Sequence, residues 1–276
     1  MKIKYLFPAA LLILGCANNP NIDNKIKETA VEKQIVEKYH ITKNSLTKID
    51  NDYYFYEPDP NGIAIIKLDS NYNLKERKVI KKLIEGHKLL TDGKNIYLIG
   101  YDQIKNRPVI VTLDKNLNIK KEQYIANKFD IPKDAIIENG SITTLLLTYK
   151  DGADIEIYSK GKTKVFKEKN NQLPNFIKKF KDGYVIIGSY QHPKSEDLLV
   201  IYIKNNKIIW AKSYDFGLDD TPKKVQITND SIKIDVISQD YMGAEKYITI
   251  ELDSQGNVKK IKKGLEFKVL PTRFRT

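Results

Sequence analysis

Leu68-Asp69-Ser70-Asn71-Tyr72-Asn73 returns as Leu113-Asp114-Lys115-Asn116-Leu117-Asn118 and, in looser form, as Leu252-Asp253-Ser254-Gln255-Gly256-Asn257. The first two aspartates, at 69 and 114, stand 45 positions apart, and the third lies 139 further on, close to three more periods. Two weaker copies fall where that period requires them, at Ser159-Lys160-Gly161 and Lys204-Asn205-Asn206. A fixed period decides architecture before local propensity does, because each repeated unit must bury its faces against its neighbours.

A second turn keeps the same beat, as Asp50-Asn51-Asp52, Asp92-Gly93, Glu138-Asn139-Gly140, Asp182-Gly183 and Asn229-Asp230. Asp, Asn and Gly between apolar runs mark tight hairpins, since they accept positive φ. A β run follows each turn: Tyr53 to Tyr56, Ile96 to Ile99, Ile142 to Thr148, Tyr184 to Ile187 and Ile232 to Ile237. Alternating or fully apolar runs come next, as in Ile63 to Leu68, Val109 to Leu113 and Leu198 to Ile203. Each unit thus reads as four strands, A to D, with tight turns at A–B and C–D. Units of this kind at roughly 40–45 residues predict propeller blades. The fold expected is all-β, a single β-propeller of five four-stranded blades spanning residues 45–276. A sandwich or an open sheet has no reason to keep a constant period.

Asp182 to Ser189, Asp197 to Ile203 and Ile208 to Tyr214 resemble the tandem propeller repeats of bacterial surface and envelope proteins, over about one blade. That resemblance implies a fold and carries no catalytic residues. Leu265-Glu266-Phe267-Lys268-Val269-Leu270 alternates like a strand and is expected to close the ring or to begin a partial sixth blade.

Upstream of the repeat, Lys2 and Lys4 precede an uncharged run from Leu6 to Leu14, closed by Gly15-Cys16. A basic start, a short apolar stretch and a small residue describe an export signal, and the stretch is about half of the roughly 20 residues a membrane span needs. The segment resembles the signal of bacterial lipoproteins at Gly15 and Cys16, with Ile13 and Leu14 departing from the usual residues before them. The resemblance implies cleavage after Gly15 and acylation of Cys16, which would tie the chain to a lipid bilayer. Residues 1–15 are then the signal, and 16–44 the lipidated cysteine, a tether and a short spacer helix within 25–40. The expected location is the bacterial cell envelope, with the outer membrane favoured because Ala17 is not an acidic retention residue. Cys16 is the only cysteine, so once acylated it leaves no thiol for disulfides, catalysis or metal ligation.

The net charge of +12 does not imply nucleic acid, because all but four of the 47 basic residues are lysines scattered along the chain. His40, His87 and His192 stand alone, and no phosphate-loop, dinucleotide or nucleophile-elbow pattern occurs, so no cofactor, metal or catalytic residue is assigned. The Asp-x-Asn-x-Asn segments at Asp69 and Asp114 lack the bidentate Glu that completes a calcium loop and read as turns. Asp52, Asp92, Glu138, Asp182 and Asp230 recur once per unit in hairpins, where a turn needs them. A carbohydrate-active hydrolase on a five-bladed propeller is the rival reading, and it requires two converging acids.

The function expected is that of a membrane-anchored, non-catalytic binding or scaffold module with an envelope protein or glycan as partner. If A–B and C–D turns share one side, the longer B–C and D–A connections share the other, and irregular loops gathered on one face mark where partners dock. These are read as Glu57 to Asn61, Asp102 to Asn106, Ala126 to Lys133, Gln191 to Asp197, Asp215 to Lys224 and Gln239 to Glu245. His192, Phe216, Asp219, Asp220 and Tyr241 are the candidate binding residues there.

Overall fold

The computed structural model describes residues 33–41, 45–150 and 152–267. The chain divides between Lys43 and Asn44 into two compact units. In the first, residues 33–39 are helical, with a Lys33–Glu37 ion pair one turn apart. Gly15, Cys16 and the rest of the expected signal and tether lie outside the described residues. Among the described residues no helix is long and apolar enough to cross a membrane.

The second unit is all-β. Unit I consists of β1 (Leu46–Ile49), β2 (Asp52–Asp59), β3 (Gly62–Leu68) and β4 (Leu74–Ile80). Unit II is β5 (Ile84–Thr91), β6 (Asn95–Asp102), β7 (Arg107–Asp114) and β8 (Ile119–Tyr124). Unit III is β9 (Ile131–Glu138), β10 (Ser141–Thr148), β11 (Asp154–Ser159) and β12 (Lys162–Phe166). Unit IV is β13 (Gln172–Phe180), β14 (Gly183–Gln191), β15 (Glu196–Lys204) and β16 (Lys207–Tyr214), and unit V is β17 (Asp219–Ile227), β18 (Ile232–Gln239), β19 (Glu245–Leu252) and β20 (Val258–Phe267). Each unit is an antiparallel meander in chain order. A single parallel bridge, Glu196 to Asp219, joins units IV and V into one eight-stranded sheet. No strand pairing joins unit V to unit I among the described residues.

Side-chain alternation explains the packing. Successive residues of a strand face opposite sides of the sheet, so a strand covered on both sides reads as a continuous apolar run. In β14, Val185 and Ile187 enter a core shared with unit V, while Ile186 enters one shared with unit III. The same holds along the chain: one core joins units I and II, another joins II and III, and so on through IV and V. The outer strands β4, β8, β12 and β16 have one face in solvent and are accordingly rich in lysine.

The turns are built as their sequences require. In the five-residue turns, one oxygen of Asp69, Asp114 or Asp253 accepts the N–H groups two and four residues on, and the other accepts the Asn side chain. The Asn118 backbone bond, with Lys120 beside it, holds the Asp114 carboxyl well below the usual carboxylate range. In the shorter C–D turns, Lys160-Gly161 and Asn205-Asn206 all take positive φ, the conformation of a two-residue hairpin.

Two expectations need correction. Leu265 to Phe267 do not start a new element. They extend β20, which stays paired to β19 as the outer strand of unit V. Residues 268–270 lie outside the described residues. The connection read as Asp215 to Lys224 is also shorter than expected, because β17 begins at Asp219: Pro222 is accommodated by a bulge before Lys224, so the strand continues past it. The connections near Glu57, Lys133 and Glu245 are trimmed in the same way by β2, β9 and β19.

Candidate functional site

The meander places the B–C and D–A connections on one side, and there the seam of units III, IV and V opens into a pocket of about 520 Å³. Its walls are Lys169 to Asn171 from the β12–β13 connection, Gln191 at the end of β14, His192, Pro193 and Ser195 from the β14–β15 connection, Glu196 at the start of β15 and Asp219 at the start of β17. The Glu196–Asp219 bridge fixes the floor, since Glu196 N–H donates to Leu218 O at 2.8 Å and Leu218 N–H to Gln239 O at 2.6 Å.

A hydrogen-bond relay orders the polar walls. Asn171 Oδ1 accepts Ala153 N–H at 2.9 Å, and Asn171 Nδ2 donates to Gln191 Oε1 at 3.0 Å. Gln191 Nε2 then donates to Glu196 Oε1 at 2.6 Å. Gln191 N–H also donates to Asn171 O at 2.9 Å, so backbone and side chains are pinned together across two units. His192 packs edge-on against Tyr190, ring centroids 5.1 Å apart, and its Nε2 lies 3.0 Å from Asp197 Oδ2. Amides that are already oriented lose little freedom on meeting a ligand. Pro193 is the one apolar member of the lining. The pocket therefore offers interleaved donors and acceptors to a polar molecule.

The five candidate residues separate. His192 and Asp219 line the pocket. Phe216 packs against the core shared by units IV and V. Asp220 is fully buried in β17, where its Oδ2 accepts Phe216 N–H at 2.7 Å and burial pushes its carboxyl up. It is buried and holds the 215–218 connection from beneath its start at Phe216. Tyr241, 83% exposed, stands on the β18–β19 connection outside the pocket lining. Lys169 and Asn171 were not singled out from sequence. The signal for them was the polar run Glu168 to Asn171 after Phe166, a loop composition.

Four of the five acids that recur in the A–B turns are engaged by local partners. Asp52 is held by Lys67 and Lys75, Asp92 by Tyr97, Glu138 by Lys179 and Tyr184, and Asp182 by Lys204 and Tyr202. Further in, Asp134 on β9 is fully buried and bridges Lys88 of β5 and Lys178 of β13, each at 2.9 Å. It also accepts Ile177 N–H and Ala135 N–H, so one carboxylate ties three consecutive first strands together. A cleft of about 350 Å³ beside it is walled by Leu90, Ala135, Ile136 and Ile137 with Lys88, Lys178 and Lys179, and both carboxylates there, Asp134 and Glu138, are ion-paired. Among the described residues no group of three or more His, Cys, Asp or Glu is placed to hold a metal ion.

Neither the protein-family models nor the curated proteins yield a match to this sequence. Solved structures do. The chain is similar to hydrazine synthase of Kuenenia stuttgartiensis, with TM-score 0.57 and 9% identity over 79% of this chain and 64% of that one. It is also similar to the dihydro-heme d1 dehydrogenase NirN in complex with DHE, with TM-score 0.50 and 12% identity over 78% and 46%. In each case the chain spans less than two thirds of the other protein's length. At such identities the likeness concerns fold alone, and that fold is of β-propeller type.

Proposed function

We propose that this chain is a lipid-anchored binding module of the bacterial envelope, in which units I–V are the five blades of one propeller and the loop-side pocket between units III and V takes a hydroxyl-rich glycan. The observation that carries the reading is the Asn171–Gln191–Glu196 relay, which presents fixed amide and carboxylate groups around about 520 Å³. Sugar hydroxyls both donate and accept, and they match a wall that alternates the two. Residues 1–15 act as the export signal and 16–44 as the tether, with acylated Cys16 inserted in a membrane, the outer membrane in this reading. Several acyl chains, at about 0.8 kcal/mol per buried methylene, hold durably where one would not.

The hydrolase alternative keeps one observation: Glu196 and Asp219 are paired across the bridge and line the same pocket. Glu196 Oε1 is already bound by Gln191, and the lining is polar but for Pro193, where a general acid works against an apolar wall. Binding without turnover is the better fit.

Co-sedimentation with purified insoluble cell-wall glycan, at salt high enough to suppress lysine-driven adsorption, tests the site. The wild-type chain should pellet. Gln191→Ala and Asp219→Asn should stay in the supernatant with their melting transitions preserved. Equal pelleting of all three rules the pocket out, and release of soluble sugar by the wild type would favour the hydrolase. The anchor is tested separately: Cys16→Ser should abolish lipid labelling, and wild-type protein carrying no lipid by mass spectrometry refutes it.

A further inference from the structure

At two junctions the five-residue C–D turn of one unit docks on the unit before it. Lys115 O of unit II accepts Tyr54 OH at 3.2 Å and Lys67 Nζ at 3.0 Å, and Asn118 Oδ1 accepts Lys78 Nζ at 3.3 Å. The junction of units IV and V repeats the device: Ser254 O accepts Trp210 Nε1 at 3.2 Å, Gly256 O accepts Tyr214 OH at 2.5 Å, and Asn257 Oδ1 accepts Lys212 Nζ at 2.7 Å. Lys78 and Lys212 occupy the same register position, opposite Ile65 and Val200 on the third strand.

Unit III has no such turn, because Ser159 and Lys162 are joined by Lys160-Gly161 alone. By register, Tyr97, Thr112 and Gln123 of unit II correspond to Tyr54, Lys67 and Lys78 of unit I. All three line a groove of about 340 Å³ between units II and III, on the tight-turn side. Tyr158, Lys121 and Lys160 line it too, and the lining holds no carboxylate. Gln123 Nε2 donates to Tyr158 OH at 2.8 Å, and Tyr97 OH donates to Asp92 at 2.7 Å.

We propose that this groove binds an acidic turn of a partner protein, a segment carrying Asp and Asn that takes the place filled at the I–II and IV–V junctions by the chain's own five-residue turn, which opens on Asp and closes on Asn. The two lysines supply charge complementarity to the aspartate, as Lys120 does for Asp114 at 3.0 Å. The second N–H of the Gln123 amide and the Thr112 hydroxyl are placed for the carbonyls of the turn, and the Tyr97 and Tyr158 rings for its aliphatic residue. This surface is opposite the loop-side pocket and does not depend on the glycan reading.

The probe is a labelled cyclic peptide carrying the sequence of residues 68–73, whose only charge is its aspartate, titrated into the whole chain by fluorescence anisotropy. Saturable binding is expected, weakened at least tenfold by Lys121→Glu, an exposed position, and by a Lys in place of the peptide's aspartate. A variant whose 160–161 turn is lengthened to the five-residue form should fold and no longer bind. Absence of binding overturns the proposal. So does equal binding of a scrambled peptide of the same charge, or binding that Lys121→Glu leaves unchanged. Concentration-dependent self-association of the chain, competed by the peptide, would assign the groove to a second copy and overturn the partner.

Discussion

Glu156 on β11 is wholly buried at the junction of units II and III, beside the Asp130 carboxyl. Burial, reinforced by the nearby Asp130 carboxyl, pushes it from about 4.5 up to about 7. A carboxyl raised in this way is held protonated by the fold, while the unfolded chain releases the proton near its ordinary value. Between roughly pH 4.5 and 7 the folded state therefore binds more protons, so the stability from this group is complete below about 4.5 and declines as pH rises to about 7. A rise of that size is worth about 3 kcal/mol as an upper bound. Glu156→Gln removes the charge and keeps the shape. For a domain of this size about 3 kcal/mol corresponds to roughly 6–12 °C in melting temperature. The variant should melt higher than wild type at pH 8 by up to that amount and converge with it near pH 5. Parallel melting-temperature profiles from pH 5 to 8 would refute the argument.

Other consequences follow from neighbouring groups. His87 is pushed down by burial, with Lys133 adding to it and Glu85 opposing. The fold keeps it neutral, so its contribution is present above about pH 6.5 and lost below, opposite in sign to Glu156. His87→Gln should flatten the acid limb of the same profile, and an unchanged limb argues against it. Asp134→Ala should cost about 3–5 kcal/mol, because it strands the Lys88 and Lys178 ammoniums near the interior, and urea unfolding that moves by less than about 1 kcal/mol contradicts the bridge. Gly256 lies at φ +76°, and an added Cβ would stand 2.9 Å from the Trp210 ring. Gly256→Ala should destabilise by more than the roughly 1 kcal/mol of backbone strain alone, with a change in Trp210 fluorescence that a purely local effect would not give.

The period of the turns was legible because turn chemistry is local: Asp69, Asp114 and Asp253 each bond their own backbone, so the same residues recur wherever the same turn is made. What sits at the fourth turn position was not legible. Tyr72, Leu117 and Gly256 all take positive φ there, and only Gly announces it. Leu117 is fully buried in the core of units I and II, and Tyr72 packs against Tyr53, so packing sets the identity that the backbone would leave to glycine. The first strands hid a second repeat for a similar reason. Gly86, Pro132, Pro174 and Pro222 each precede a bulge. Pro reads locally as a strand breaker, and this moved the start of β17 too late and turned Asp220 from a buried strand residue into an apparent loop acid. The pocket was half legible, since His192 and Asp219 come from stretches already marked as connections.

The part that sequence could not supply is the difference between equivalent junctions. Tyr54, Lys67 and Lys78 spend their donors on the next unit's turn, whereas Tyr97, Thr112 and Gln123 face an open groove because two residues replace five at 160–161. A shortened turn looks in sequence like a degenerate repeat. Only the register of the strands shows that the surface it should cover is still built to be covered. Unit III is also where buried Asp130, Asp134, Asp154 and Glu156 gather, and their burial costs stability. Such departures from the repeat gather where a fold serves a use beyond its own stability, and unit III carries both these acids and one wall of the groove.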